Sequence, residues 1–220
     1  MGISNTIPPS RLIQPGVVAN TAARPTSPFT GQAIYQVDTN QMLIWNGTAW
    51  VIPNSPAQNP TGLEFIKSQT IGTTVSSVTV ANSFSTDYDN YRIVISGVTG
   101  TINNDSFLMS MTGSSGSTYK STSFYLVYNQ TQFNGVAFAT GTSFRIGWTN
   151  NSNDMNYVLD LLNPFIAKPT FFTSNGANST ITFQNAGEDT STSSCTGFTL
   201  TPSSGTLTGG IINIYGYRKS

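Results

Sequence analysis

The 220-residue chain contains no histidine, and that absence removes more chemistry than any other feature of its composition. Ser-His-Asp and Cys-His triads, histidine general acids and most catalytic zinc sites all require the missing side chain. There is one cysteine, Cys195, so no intramolecular disulfide can form. Its strand-like surroundings predict a small buried hydrophobe rather than a reactive thiol. Charge is scarce as well: Asp, Glu, Lys and Arg make up 8% of the chain, against about 25% in ordinary soluble proteins. Nine acidic residues balance nine basic ones, and the basic ones are scattered, so the electrostatic footprint that nucleic-acid binding needs is missing. No apolar run approaches the roughly 18 residues of a membrane-spanning helix. Residues 1–20 lack the charged start and apolar middle of a signal peptide, so synthesis in a cytoplasm and no membrane insertion are expected.

What is abundant is Ser, Thr and Asn, about a third of the sequence, which puts the burden of solubility on hydroxyls and amides. Residues 1–31 carry five prolines and no sustained periodicity, predicting an extended arm that lies against a binding partner. Residues 32–52 read as a small β-meander. Ile34 and Tyr35 fall on opposite faces of a first strand, Asp38-Thr39-Asn40 supplies turn chemistry, and Asn46-Gly47 is a strong hairpin signal ahead of Trp50. About twenty residues bury too little apolar area to hold themselves together. Ile34, Tyr35, Trp45 and Trp50 are therefore expected to anchor the meander against a neighbouring subunit or domain. Residues 53–62, with three prolines, read as a spacer.

From residue 63 to 220 the chain breaks into short β-type runs: 63–70, 75–81, 91–98, 107–111, 124–128, 144–148, 157–162, 170–173, 180–184, 198–201 and 210–217. Turn signals every 8 to 20 residues with no useful helical period predict an all-β, antiparallel, jelly-roll-like β-sandwich. The segments 156–163 and 211–215 are apolar on both faces, which predicts a core contact on one side and a subunit contact on the other.

The pattern Arg24-Pro25, Pro28-x-x-Gly31-Gln32, Asp38-Thr39-Asn40 and Trp45-Asn46-Gly47-Thr48-x-Trp50 resembles the adaptor segment of fibre and spike proteins of tailed bacteriophages. The sandwich region is similar to carboxy-terminal domains of phage structural proteins through Ile66-x-x-Gln69-Thr70-Ile71-Gly72, Tyr88-Asp89-Asn90-Tyr91 and the closing run 209–216. The resemblance implies a virion location, a homotrimer, anchoring to other virion proteins through residues 1–31, and a choice between a host-contacting tail fibre or spike and a capsid or neck decoration. A carbohydrate-binding module is the alternative outside a virion.

Candidate chemistry is thin. Asp87 and Asp89 flank a tyrosine and could offer oxygens to calcium, but Asp and Asn ahead of a strand more commonly cap their own turn. Neither cofactor nor catalytic residue is expected. Aromatics crowd the middle third among amides. Phe124, Phe144 and Trp148 are expected in the core. The loops around 120–123 and 130–134, with Tyr119, Tyr128, Asn129, Gln130, Gln132 and Asn134, form the expected contact with a host-surface glycan.

Overall fold

The computed structural model describes residues 16–53, 62–115, 119–151 and 155–219, with the side chains of 138–140 excepted. The first half of the expected arm and most of the spacer lie outside these residues. Two compact units emerge, Met1–Pro60 and Thr61–Ser220.

The first unit is a four-stranded sheet in the order β1-β2-β3-β4, formed by Gly16–Val18, Ala33–Gln36, Gln41–Trp45 and Trp50–Val51. The expected meander supplies β2 to β4, all antiparallel. The sequence reading missed β1, which pairs parallel with β2 and draws residues 16–18 of the presumed arm into the sheet. Three residues without alternation give no strand signal, so only the pairing itself reveals β1. Asn46 builds the hairpin turn: its Oδ1 accepts from the Thr48 and Ala49 amides at 2.9 and 2.8 Å, while Gly47 takes a φ of 104° that a side chain would resist. Ile34 and Leu43 are buried between the strands. So is Gln36, whose Oε1 accepts from Arg24 Nε at 2.7 Å while its amide donates to Asp38 at 2.7 Å and to Thr21 at 3.3 Å. A buried amide is tolerable only when satisfied in this way.

The second unit is an all-β sandwich of unequal sheets. The larger follows the order β10-β9-β14-β13-β12-β7-β17-β5, made of Asn134–Gly141, Tyr119–Val127, Ile181–Asp189, Thr170–Ala177, Met155–Leu162, Asn90–Gly100, Ile211–Tyr217 and Leu63–Thr70. A short strand, β16 (Leu207–Thr208), adds to β7. The smaller sheet, β11-β8-β15-β6, comprises Phe144–Trp148, Ser106–Thr112, Gly197–Pro202 and Val78–Val80. Alternation produces the core: Ile93, Ile95, Tyr157, Leu159, Leu161, Ile212 and Ile214 all point inward and are buried. Aromatic pairs clamp the sheets together, with Phe144 against Phe172 at 4.3 Å, Phe107 against Tyr157 at 5.1 Å and Trp148 against Phe183 at 5.5 Å.

β11 is irregular between Arg145 and Gly147. There the Ile146 carbonyl accepts from Ser174 Oγ at 2.8 Å and Asn185 Nδ2 at 2.9 Å, so a bulge in one sheet is stitched to buried polar side chains of the other. Gly147 lies so close beneath the rings that a Cβ would sit 2.4 Å from Tyr157.

The register gives the large sheet two rims. Leu63 pairs with Tyr217, and Asn90, Leu162, Thr170, Asp189 and Tyr119 share that rim. The opposite rim carries Thr70, Ile211, Ala177, Ile181 and Val127, followed by the turn at 128–133. The chain therefore enters the sandwich at one rim and presents the 128–133 turn at the other.

Candidate functional site

The aromatic cluster of the middle third lies where expected in sequence but is arranged differently in space. β9 begins at Tyr119, five residues before the predicted run, and β10 occupies 134–141, which gave no strand signal. Residues 120–123 are thus strand, not loop. Tyr119 is only 2% exposed; it packs edge-on against Phe144 and its hydroxyl accepts the Met111 amide at 2.9 Å. It is a core residue and offers no surface for a sugar. Phe144 and Trp148 are buried as predicted, but Phe124 is 57% exposed. The cause is an inverted alternation. Ser121 and Ser123 take the inward positions of β9, where β11 approaches closely and the Arg145 amide donates to Ser121 Oγ at 3.3 Å. Ser174 and Asn185 are also buried, on β13 and β14. Small polar groups go inside, and Phe124 and Phe171 go outside.

On that outer face Phe124 pairs across strands with Gln184, and Gln184 with Asn175. With Phe133, which is 72% exposed, they line a groove of about 370 Å³. A second hollow of about 520 Å³ continues toward the other rim beside Phe171, Lys120 and Glu188. Of the expected contact residues, Tyr128, Asn129, Gln130 and Gln132 are exposed in the distal turn and Asn134 is half-buried at the start of β10. The turn reaches the groove through Phe133. Sequence reasoning missed Gln184, Asn175 and Phe171, whose proximity is created by strand pairing alone.

The other half of the same face is bonded internally. Arg92 donates to Asp160 through Nε at 2.8 Å and Nη2 at 2.7 Å, and Tyr217 donates to the same carboxylate at 2.6 Å. Burial opposes ionisation of Asp160, yet these donors and the Arg92 charge prevail and hold its carboxyl below the usual range. Asp105 behaves alike, with burial outweighed by hydrogen bonds from Ser203, Ser204 and Ser106.

Asp89 pairs with Lys219 at 2.8 Å and Asp87 accepts from Ser85 Oγ at 2.9 Å. The pair serves the turn and the C-terminal tail, and among the described residues no group of three or more His, Cys, Asp or Glu is placed to hold a metal ion. Burial, with Asp189 nearby, pushes the Cys195 thiol up to about 11, so it stays protonated and unreactive at neutral pH.

In the first unit Ile34 is buried, Tyr35 is half-buried with its hydroxyl on Asn40 at 2.7 Å, and Trp45 and Trp50 meet edge to face at 5.6 Å, each partly exposed. Val17, Phe29, Val37 and Met42 of the same unit are exposed. No family model matches the chain, and no curated protein matches it.

Proposed function

We propose that the chain is a non-enzymatic structural protein of a tailed-phage virion, a trimeric fibre or spike whose N-terminal unit docks on other virion proteins and whose sandwich projects toward the host surface. The observation that carries this reading is the architecture of the first unit. The residues that give the sequence its phage-adaptor resemblance have structural duties there: Arg24 and Asp38 satisfy the buried Gln36, Gly31 donates its amide to the Trp45 carbonyl at 2.8 Å, and Asn46-Gly47 makes the turn. The product is a sheet with a very small core that leaves a tryptophan pair and several apolar side chains partly in water. Such a unit gains by lying against a partner. The rim at which the chain enters the sandwich is opposite the rim bearing the exposed 128–133 turn, the arrangement a projecting module requires.

The test is incorporation. A chain lacking residues 1–60 should give a folded sandwich that no longer co-purifies with particles, whereas the full chain does. Incorporation of the truncated chain at full-chain levels would refute N-terminal anchoring, and failure of the full chain to join any particle would refute the virion assignment.

A further inference from the structure

We propose that the outer face of β9, β14 and β13 is a binding groove for a neutral oligosaccharide, with Phe124 and Phe133 as stacking surfaces and Gln184 and Asn175 as hydrogen-bonding amides. The inverted alternation is the first reason. A sandwich strand normally puts its large apolar side chains inward, yet here serines are buried at 121, 123 and 174 while Phe124 and Phe171 face water. Breaking the local rule costs stability, and such breaks concentrate at functional sites.

The state of the polar groups is the second reason. On the β12, β7 and β17 half of the face, Arg92, Asp160 and Tyr217 are bonded to one another. On the groove half, the exposed amides of Gln184 and Asn175 and hydroxyls of Thr122 and Thr173 have no side-chain partner among the described residues. Gln184, Asn175 and Thr173 stand beside Phe124 in hollows whose volumes are in the range of small-ligand sites, and Thr122 lines the adjoining one. Phe124, Gln184 and Asn175 form one row perpendicular to the strands. Neighbouring strands lie about 4.8 Å apart, so the row offers a chemical feature at intervals comparable to one sugar ring. The apolar face of a pyranose suits the phenyl rings, and its hydroxyls suit the amides.

Charge selects the class of sugar. The charged residues of the adjoining hollow, Lys120 and Glu188, pair with each other at 3.1 Å, leaving no unmatched cation among the described lining residues for a sialylated or uronic-acid glycan.

The site extends the host-contact part of the proposed function, but its test is separate from particle incorporation, so either can fail alone. The full chain is applied to an array holding neutral hexose and N-acetylhexosamine glycans beside sialylated and uronic-acid ones, and affinity for the best binder is measured by calorimetry. Binding confined to neutral members is expected, with at least a tenfold loss for Phe124→Ala and for Gln184→Ala at unchanged Tm. Phe65→Ala, on the far half of the same face, should bind as wild type. Absence of array binding, preference for acidic glycans, or full binding by Phe124→Ala overturns the proposal. So does dissociation of the oligomer by Phe124→Ala without loss of glycan, which would make the face a contact between copies.

Discussion

Individual side chains carry sharp expectations. Asp160 holds its proton less tightly in the fold than in the unfolded chain, so its contribution is present above the unfolded pKa of about 3.9 and is lost as pH falls through the lower folded value. Asp160→Asn should therefore destabilise the sandwich at pH 7 by about 1 kcal/mol, kept modest by solvent screening. The difference from wild type in urea melts should shrink progressively as pH falls below about 3.9; a gap that does not narrow on acidification would mean that the carboxylate charge is not its source. Gly147→Ala places a methyl against the Tyr157 and Phe183 rings and should cost about 1–3 kcal/mol, read as a Tm drop of about 2–4 °C per kcal/mol. Gln36→Leu strands the partners of a satisfied buried amide and should cost about 1–3 kcal/mol, seen as faster amide exchange in β2 and β3 with the sandwich unaffected.

Among the elements, β1 matters most for experiment. Removing residues 1–31 would delete β1 as well as Thr21 and Arg24, two partners of Gln36, and should unfold the first unit; removing 1–15 should leave its amide exchange intact. Equal exchange in the two truncations would show that β1 adds nothing. The sandwich strands were largely legible because runs such as 63–70, 144–148 and 211–217 alternate cleanly or end at turn residues. β9 and β10 were not. Ser121 and Ser123 at inward positions reverse the pattern that marks a buried face, and β10 carries Gly135, Val136 and Ala137 with too little contrast to show any period. The groove inherited this difficulty: Phe124 was visible as an aromatic, but its orientation depends on parity, and its neighbours Gln184 and Asn175 lie some fifty to sixty positions away in sequence. The distal turn could be read in part because Asn129, Gln130 and Gln132 are amides that follow the apolar run 124–128, whereas Tyr119 could not be separated from it without knowing where β9 starts.

At the scale of the whole molecule, the proposed trimer should run in light scattering at about 70 kDa, three times the 23.5 kDa chain, and a 23.5 kDa species at micromolar concentration would dismiss it. The two strands at the edges of the first unit add a mechanical consequence. β1 and β4 point the same way, since β1 is parallel to β2 and two antiparallel steps lead from β2 to β4. Tension between the chain before Gly16 and the chain after Val51 therefore enters at opposite ends of opposite edge strands. It loads the ladders in shear, so the few hydrogen bonds of each short edge ladder resist together rather than peeling one at a time. A load carried through this unit would therefore meet each short ladder all at once, even though the unit has little core of its own.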